Sequence, residues 1–257
     1  MQDKVVLGVD VGASGIKGAL VDIKKGELIT SRFRVETPRP ANPKNMARAF
    51  KEVVKNFDYQ GAIGCGFPAV VRKGVAYTAA NIDDDWIGEN VAKVFGKASD
   101  CKVYVQNDAD LAGVAEMQFG AGRGKDGTVI LITIGSGLGS ALFLNGELVP
   151  NTEFGHFYLK GQKKVAEQYA ADSVRKKEEL DFKEWGGRFN KYLKHLEKLF
   201  SPDLFILGGG GSKRLHEFES ELTVKTKVVA AQMRNEAGII GAAYLAFRKH
   251  KNEAVSV

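Results

Sequence analysis

Two segments of this chain share one design, an apolar run, a small-residue turn and a second apolar run. They are VVLGVDVGASGIKGALVD at residues 5–22 and VILITIGSGLGSALFLNGELV at residues 129–149. Apolar β-rich runs bent at glycine predict paired strands, unlike the dinucleotide fingerprint, whose glycine turn opens a helix. Glycine and serine in such a bend let backbone N–H groups approach an oxyanion with no Cβ in the way. Two such bends in one chain point to a cradle for a phosphorylated ligand, with ordinary glycine hairpins as the plainer alternative.

The remaining pattern alternates strands and helices. Gly26 and Glu27 mark a turn, residues 28–36 read as a further strand, and TPRPANP interrupts it. Met46, Phe50, Val53, Val54 and Phe57 recur at helical spacing, and AIGCGFPAVV returns to strand near Pro68. A second helix is predicted over residues 88–95, a strand at 103–105, and a helix from Asp108 or Asp110 to Gly120. Asn145–Gly146 is a two-residue hairpin signal. Residues 163–199 read as mostly helical, with Trp185, Phe189, Tyr192, Leu193, Leu196 and Leu199 on one face, a core or dimer seam. LFILGGGGSKRL is a short buried strand entering four glycines, and AGIIGAAYLAFRKH is a small-residue helix that packs closely against a neighbour. A hairpin recurring across two α/β halves suggests duplication, with lobes at 1–107 plus 240–257 and at 108–239, and a ligand cleft between them.

Composition narrows the class. At 257 residues the chain is long enough for two modest α/β lobes. Its 37 Lys and Arg against 31 Asp and Glu give a formal charge of +6, a mild bias toward anionic partners. The apolar runs stop well short of the roughly 20 residues a spanning helix needs, and Asp10 interrupts the stretch a signal peptide would continue. A cytoplasmic protein without membrane contact is expected. Cys65 and Cys101 fit reduced buried thiols, and no Cys/His group has zinc-ligand spacing.

LGVDVGASGIKGALVD, GFPAVV, AANIDDDWIG, QNDADLAGVAE, TIGSGLGSAL, LVPNTEFGH, YLKHLEKLFSPDLFILGGGGSK and NEAGIIGAA span almost the whole chain in order. On these segments the chain resembles the ROK family of sugar kinases, within it the polyphosphate-using glucokinases. The resemblance implies an actin-like, ribonuclease-H-like α/β fold with duplicated mixed-sheet lobes. Ala13 stands where many members have glycine, Ser136 where threonine is usual, and Ala69 where glycine commonly follows proline. None of these departures removes a reacting group. The cysteine-rich zinc motif of many ROK proteins is absent, so no structural zinc is expected. No helix-turn-helix precedes the first strand, which argues against a nucleic-acid-binding repressor.

The same resemblance implies roles. Asp108 is the base that orients a sugar hydroxyl and accepts its proton, although aspartate at a helix start is also a natural cap, a part that Asp110 would then take. Glu153 and His156, in NTEFGH, match a family sugar motif; Asn107 joins them, and Asn81 is a further candidate. Asp10 holds Mg²⁺ through water. Gly12, Ser14, Gly15 and Lys17 surround the transferred phosphate from one side, though Lys17 also fits a solvated hairpin, and Gly135, Ser136, Gly137 and Gly139 approach from the other. Gly209, Gly210 and Gly211 mark a nucleotide or polyphosphate end. A polyphosphate track would draw on Lys160, Lys163, Lys164, Arg175, Lys176, Lys213 and Arg214, each otherwise plain surface. The implied reaction is phosphorylation of glucose at its 6-hydroxyl by polyphosphate, ATP or both. The alternatives are an ATP-only kinase for mannose or another hexose, and a non-catalytic sugar-binding regulator or assembly ATPase. A homodimer through residues 182–199 is expected.

Overall fold

The computed structural model describes residues 4–79 and 82–255. The chain divides into two compact units, Met1–Ala115 with Glu236–Val257 and Glu116–Asn235.

The first unit opens with strands β1 (Val5–Gly12) and β2 (Gly15–Asp22), paired antiparallel from Val5 opposite Asp22 to Gly12 opposite Gly15. The predicted strand over 28–36 is two short ones, β3 (Glu27–Leu28) and β4 (Phe33–Glu36), both on β2. It breaks between them because the Thr30 hydroxyl accepts from the Leu20 amide at 3.1 Å, taking the place of a ladder bond. Helix α1 (Pro43–Asn56) starts with Pro43 in its first turn and the Asn42 side chain accepting from Asn45, and it buries Met46, Ala49, Phe50, Val53 and Val54. Strand β5 (Ile63–Phe67) lies parallel to β1, and β6 (Val71–Arg72) with β7 (Val75–Ala76) forms a small ribbon. Helix α2 covers Val91–Ser99, later than the predicted 88–95. Gly88 has φ of +86°, and the Asn90 side chain caps the helix at Lys93, so the helix cannot begin earlier. Strand β8 (Val103–Asn107) lies parallel to β5 and runs directly into α3 (Asp108–Phe119).

The second unit repeats the plan. Strands β9 (Thr128–Ile134) and β10 (Leu138–Leu144) form an antiparallel hairpin. The Asn145–Gly146 turn, with φ of +50° and +79°, leads to β11 (Glu147–Val149). The region expected to be helical from 163 to 199 is three helices, α4 (Glu167–Ala170), α5 (Asp172–Lys177) and α6 (Phe182–Phe200). Extended Ala171 and left-handed Glu179 separate them. Trp185, Phe189, Tyr192, Leu193 and Leu196 are buried as predicted, whereas Leu199 is 59% exposed because at this turn the neighbouring Phe200 takes the place against the core. Strand β12 (Leu204–Gly208) lies parallel to β9, and β13 (Lys227–Ala230) parallel to β12. The strand order is β3-β2-β1-β5-β8 in one sheet and β11-β10-β9-β12-β13 in the other. Hairpin plus two parallel strands is the same arrangement twice, so the duplication read from the hairpins is present in the topology.

Helix α7 (Ala237–Val255) completes the first unit. It lies so close to the sheet that a Cβ on Gly8 would collide with the Ile239 carbonyl oxygen, and one on Gly64 with that of Ala242. Only glycine permits that approach. Among the described residues no helix is long and apolar enough to cross a membrane.

Candidate active site

Strands β1, β5 and β8 run parallel, which brings their carboxyl ends to one edge of the first sheet. Asp10 lies opposite Gly66, and Phe67 opposite Asn107. Gly66 separates two acidic residues: a Cβ there would sit 3.5 Å from Asp10 Oδ1 and 3.6 Å from the Asp108 Cα. Ligands of open α/β sheets bind at such an edge. Asp108 Oδ1 accepts from the Ala109 amide at 2.8 Å. The helix cap is Asn107, not Asp110: Asn107 Oδ1 accepts from the Asp110 amide at 3.0 Å, and its Nδ2 donates to the Ala69 carbonyl at 3.1 Å. Asp110 is buried and lies inside the first turn of the helix rather than ahead of it, so it is not the cap. Burial pushes the Asp10 carboxyl up, and Lys17, opposite it in the hairpin with Nζ at 3.9 Å, partly opposes that push.

The turn after β1 is fastened carbonyl by carbonyl. Thr37 Oγ1 donates to Gly12 O at 2.6 Å, Arg39 Nη2 to Ala13 O at 3.2 Å, and Arg34 Nη2 to Ser14 O at 2.5 Å. Arg34 also fills the space a side chain on Gly15 would need. Sequence reasoning missed both arginines.

The turn after β9 is held differently. The Ser173 amide donates to Gly135 O at 3.2 Å and its hydroxyl to Ser136 O at 2.6 Å, while the Leu138 amide donates to Glu167 Oε2 at 3.3 Å. The other oxygen of Glu167 lies 3.5 Å from His156 Nε2, and His156 Nδ1 lies 3.8 Å from Glu153 Oε2. One imidazole therefore stands between two carboxylates, next to the turn. Burial pushes the Glu153 carboxyl up; His156 opposes this and Glu167 adds to it. Such a group offers both donors and acceptors, as recognition of a polyol requires. Glu167 was also missed; its one sequence signal is a carboxylate opening a short alanine-rich helix.

Residues 6–178 match the model of the ROK family. The chain belongs to the ROK family. It is 45% identical over 237 residues to the polyphosphate glucokinase of Mycobacterium tuberculosis, an alignment covering 92% of this chain and 89% of that one. The inorganic polyphosphate/ATP-glucomannokinase from Arthrobacter sp. strain KM superposes with a TM-score of 0.91 and 42% identity, over 96% of this chain and 99% of that one. A ROK family glucokinase from Streptomyces griseus in complex with glucose and AMPPNP gives a TM-score of 0.79 at 26% identity, over 95% and 99%. The fold is thus the actin-like fold of ROK sugar kinases.

The other site candidates of this ROK chain fall as follows. Gly139 stands inside β10 opposite Thr133, outside the turn formed by Gly135, Ser136 and Gly137. Gly209, at φ of +75°, lies against the backbone of Ile134, and Ser212 Oγ donates to its carbonyl at 2.8 Å, so Gly209 to Gly211 adjoin the end of β9. Of the basic candidates, Arg175 and Lys176 each meet Asp172 at 2.8 Å and Arg214 pairs with Glu217. Lys160, Lys163, Lys164 and Lys213 are exposed. Asn81 lies outside the described residues. Among the described residues no three His, Cys, Asp or Glu side chains gather as a metal cluster. Asp10 nonetheless fits Mg²⁺, which takes one or two carboxylates and completes its shell with phosphate and water oxygens, because a cation would relieve a carboxylate that burial disfavours.

Proposed function

We propose that this ROK protein is a glucokinase that transfers a phosphoryl group from inorganic polyphosphate or ATP to the 6-hydroxyl of glucose. The observation that carries this reading is the pair Asp10 and Asp108 flanking Gly66 at the carboxyl ends of parallel strands. Asp108 accepts the proton of the 6-hydroxyl as its oxygen bonds to phosphorus and the donor's bridging P–O bond breaks. The products are glucose 6-phosphate and either ADP or a polyphosphate one unit shorter. Phosphoryl transfer of this kind generally uses Mg²⁺, and Asp10 is the residue that would hold it; bound there, it neutralises charge on the donor oxygens. Gly12, Ser14, Gly15 and Lys17, with Gly135, Ser136 and Gly137, receive phosphoryl oxygens through backbone N–H groups and one ammonium. Glu153, His156 and Glu167, with Asn107, receive the sugar hydroxyls.

The free thiols of Cys65 and Cys101 support a reducing, cytoplasmic setting, and the aromatic face of α6 is assigned to its own core, so a homodimer would use another surface. Likeness to a glucomannokinase favours mannose as a second acceptor. The test is a coupled assay pairing glucose and mannose with polyphosphate and ATP. Glucose 6-phosphate formed from polyphosphate is the expected result; no phosphorylation of either sugar by either donor sinks the proposal.

A further inference from the structure

We propose that Arg34 and Arg39 form a donor subsite that holds the phosphoryl groups not being transferred. This rests on the kinase reading above and adds residues which neither the motifs nor the family resemblance assigned. Two cationic side chains meet on a single four-residue bend, Arg34 on the Ser14 carbonyl and Arg39 on the Ala13 carbonyl, and a third, Lys17, stands beside Asp10 in the strands that the bend joins. Both arginines are exposed. Each is bound to the bend through one Nη2 atom. A guanidinium carries five N–H donors in a fixed fork, so each retains donors that suit phosphate oxygens.

Charge accounting separates this bend from three of the seven basic residues the sequence suggested, since Arg175, Lys176 and Arg214 are matched by Asp172 and Glu217 at close range. Among the described residues Arg34 pairs with one carboxylate, Glu36 at 3.9 Å, whose side chain is 89% exposed and well screened by solvent. Arg39 meets the Ala13 carbonyl, and among the described residues no carboxylate pairs with it. Lys160, Lys163, Lys164 and Lys213 are exposed and meet no carboxylate among the described residues either, so what sets Arg34 and Arg39 apart from them is that both are anchored on the bend itself. A polyphosphate chain presents a negative charge on every unit and no base, so the cations nearest the terminal phosphoryl group are the ones its following units meet. The plainer role, bracing the turn, is real for both residues and does not require a cation: the buried Thr37 hydroxyl does the same for Gly12.

Arg39→Gln removes the charge and, stopping two bonds short of the Nη2 position, gives up the Ala13 contact as well, so the salt slope, which a lost brace would not move, is the deciding readout. Arg34→Lys keeps charge and removes the fork. Binding of long-chain polyphosphate to wild type and both variants would be measured by calorimetry without sugar, at two salt concentrations, alongside turnover with long chains, tripolyphosphate and ATP. For Arg39→Gln we expect about tenfold weaker polyphosphate binding and a donor KM raised more than kcat falls. The slope of log affinity against log salt should drop by roughly 0.7, the effect of one lost charge on a single-stranded polyanion. Arg34→Lys should keep the slope and lose affinity. A Lys125→Gln control, far along the chain in an exposed loop, should change neither. Unchanged affinity and slope in Arg39→Gln, or an equal kcat loss with every donor and no KM change, overturns the subsite and leaves a brace. Wild type that binds polyphosphate but phosphorylates no sugar with any donor leaves the subsite readable by calorimetry and removes the kinase reading instead; wild type that phosphorylates glucose with ATP but does not bind polyphosphate removes the subsite and leaves the kinase reading.

Discussion

The two glycine bends have the same topology and opposite surroundings. The bend at residues 12–15 has its carbonyls tied by a hydroxyl and two guanidiniums, with an ammonium beside it. The bend at 135–137 has its carbonyls tied by one serine, and its outgoing amide by a carboxylate that also faces His156. Duplication supplied two equivalent hairpins, and the side chains reaching in from elsewhere made one bend cationic and the other acidic. In the reading proposed here the first handles the charged donor, and the second joins phosphate contact to recognition of a neutral polyol.

That comparison can be broken from either side. The largest expected effect is Asp108→Asn: turnover should fall by about a hundredfold or more while calorimetry still detects glucose binding. Unchanged turnover would remove Asp108 as base. Next is Gly64→Ala, which drives a Cβ into the Ala242 carbonyl and should cost about 3 kcal/mol, read as a lower urea midpoint, because backbone cannot step aside as a side chain can. Glu167→Gln should raise the KM for glucose about tenfold through loss of a charged hydrogen-bond partner and spare the polyphosphate KM. A donor KM that rises instead would show that the second bend also serves charge.

The smallest effect is a gain. Burial raises the Asp10 carboxyl above its ordinary value of 3.8, so the folded protein holds that proton more tightly than the unfolded chain does. Wild-type stability from this group therefore declines as pH climbs from about 3.8 through the raised value, and stays reduced above it. Asp10→Asn should melt higher than wild type at pH 7, lose that advantage below about pH 3.8, and lack turnover. A lower melting point at pH 7 would mean that attraction to Lys17 outweighs burial.

The sequence made the hairpins legible because apolar alternation and glycine punctuate locally, and Asp108, Glu153 and His156 because each sits in a compact motif. Arg34, Arg39 and Glu167 were illegible for the opposite reason: each reaches its partner across 20 or more residues, with separations of 20, 26 and 29. No local period marks such a residue. The misplaced start of α2 and the wrong cap for α3 share a cause, since in each an asparagine whose side chain captures a free amide was not read as the cap. Asn90 and Asn107 took that role. Leu199 follows the helical face of the other core residues, yet the core takes Phe200 beside it, and periodicity does not register which of two adjacent apolar residues is covered.

The seating of α7 against Gly8 and Gly64 sets an order of events during synthesis. The sheet of the first unit acquires this covering from a helix made after the whole of the intervening unit, Glu116–Asn235, which is contiguous and needs no such wait. Nascent chains halted after residue 235 should accordingly show a protease-resistant second unit and a cleavable first sheet, with resistance spreading to that sheet only once α7 has emerged.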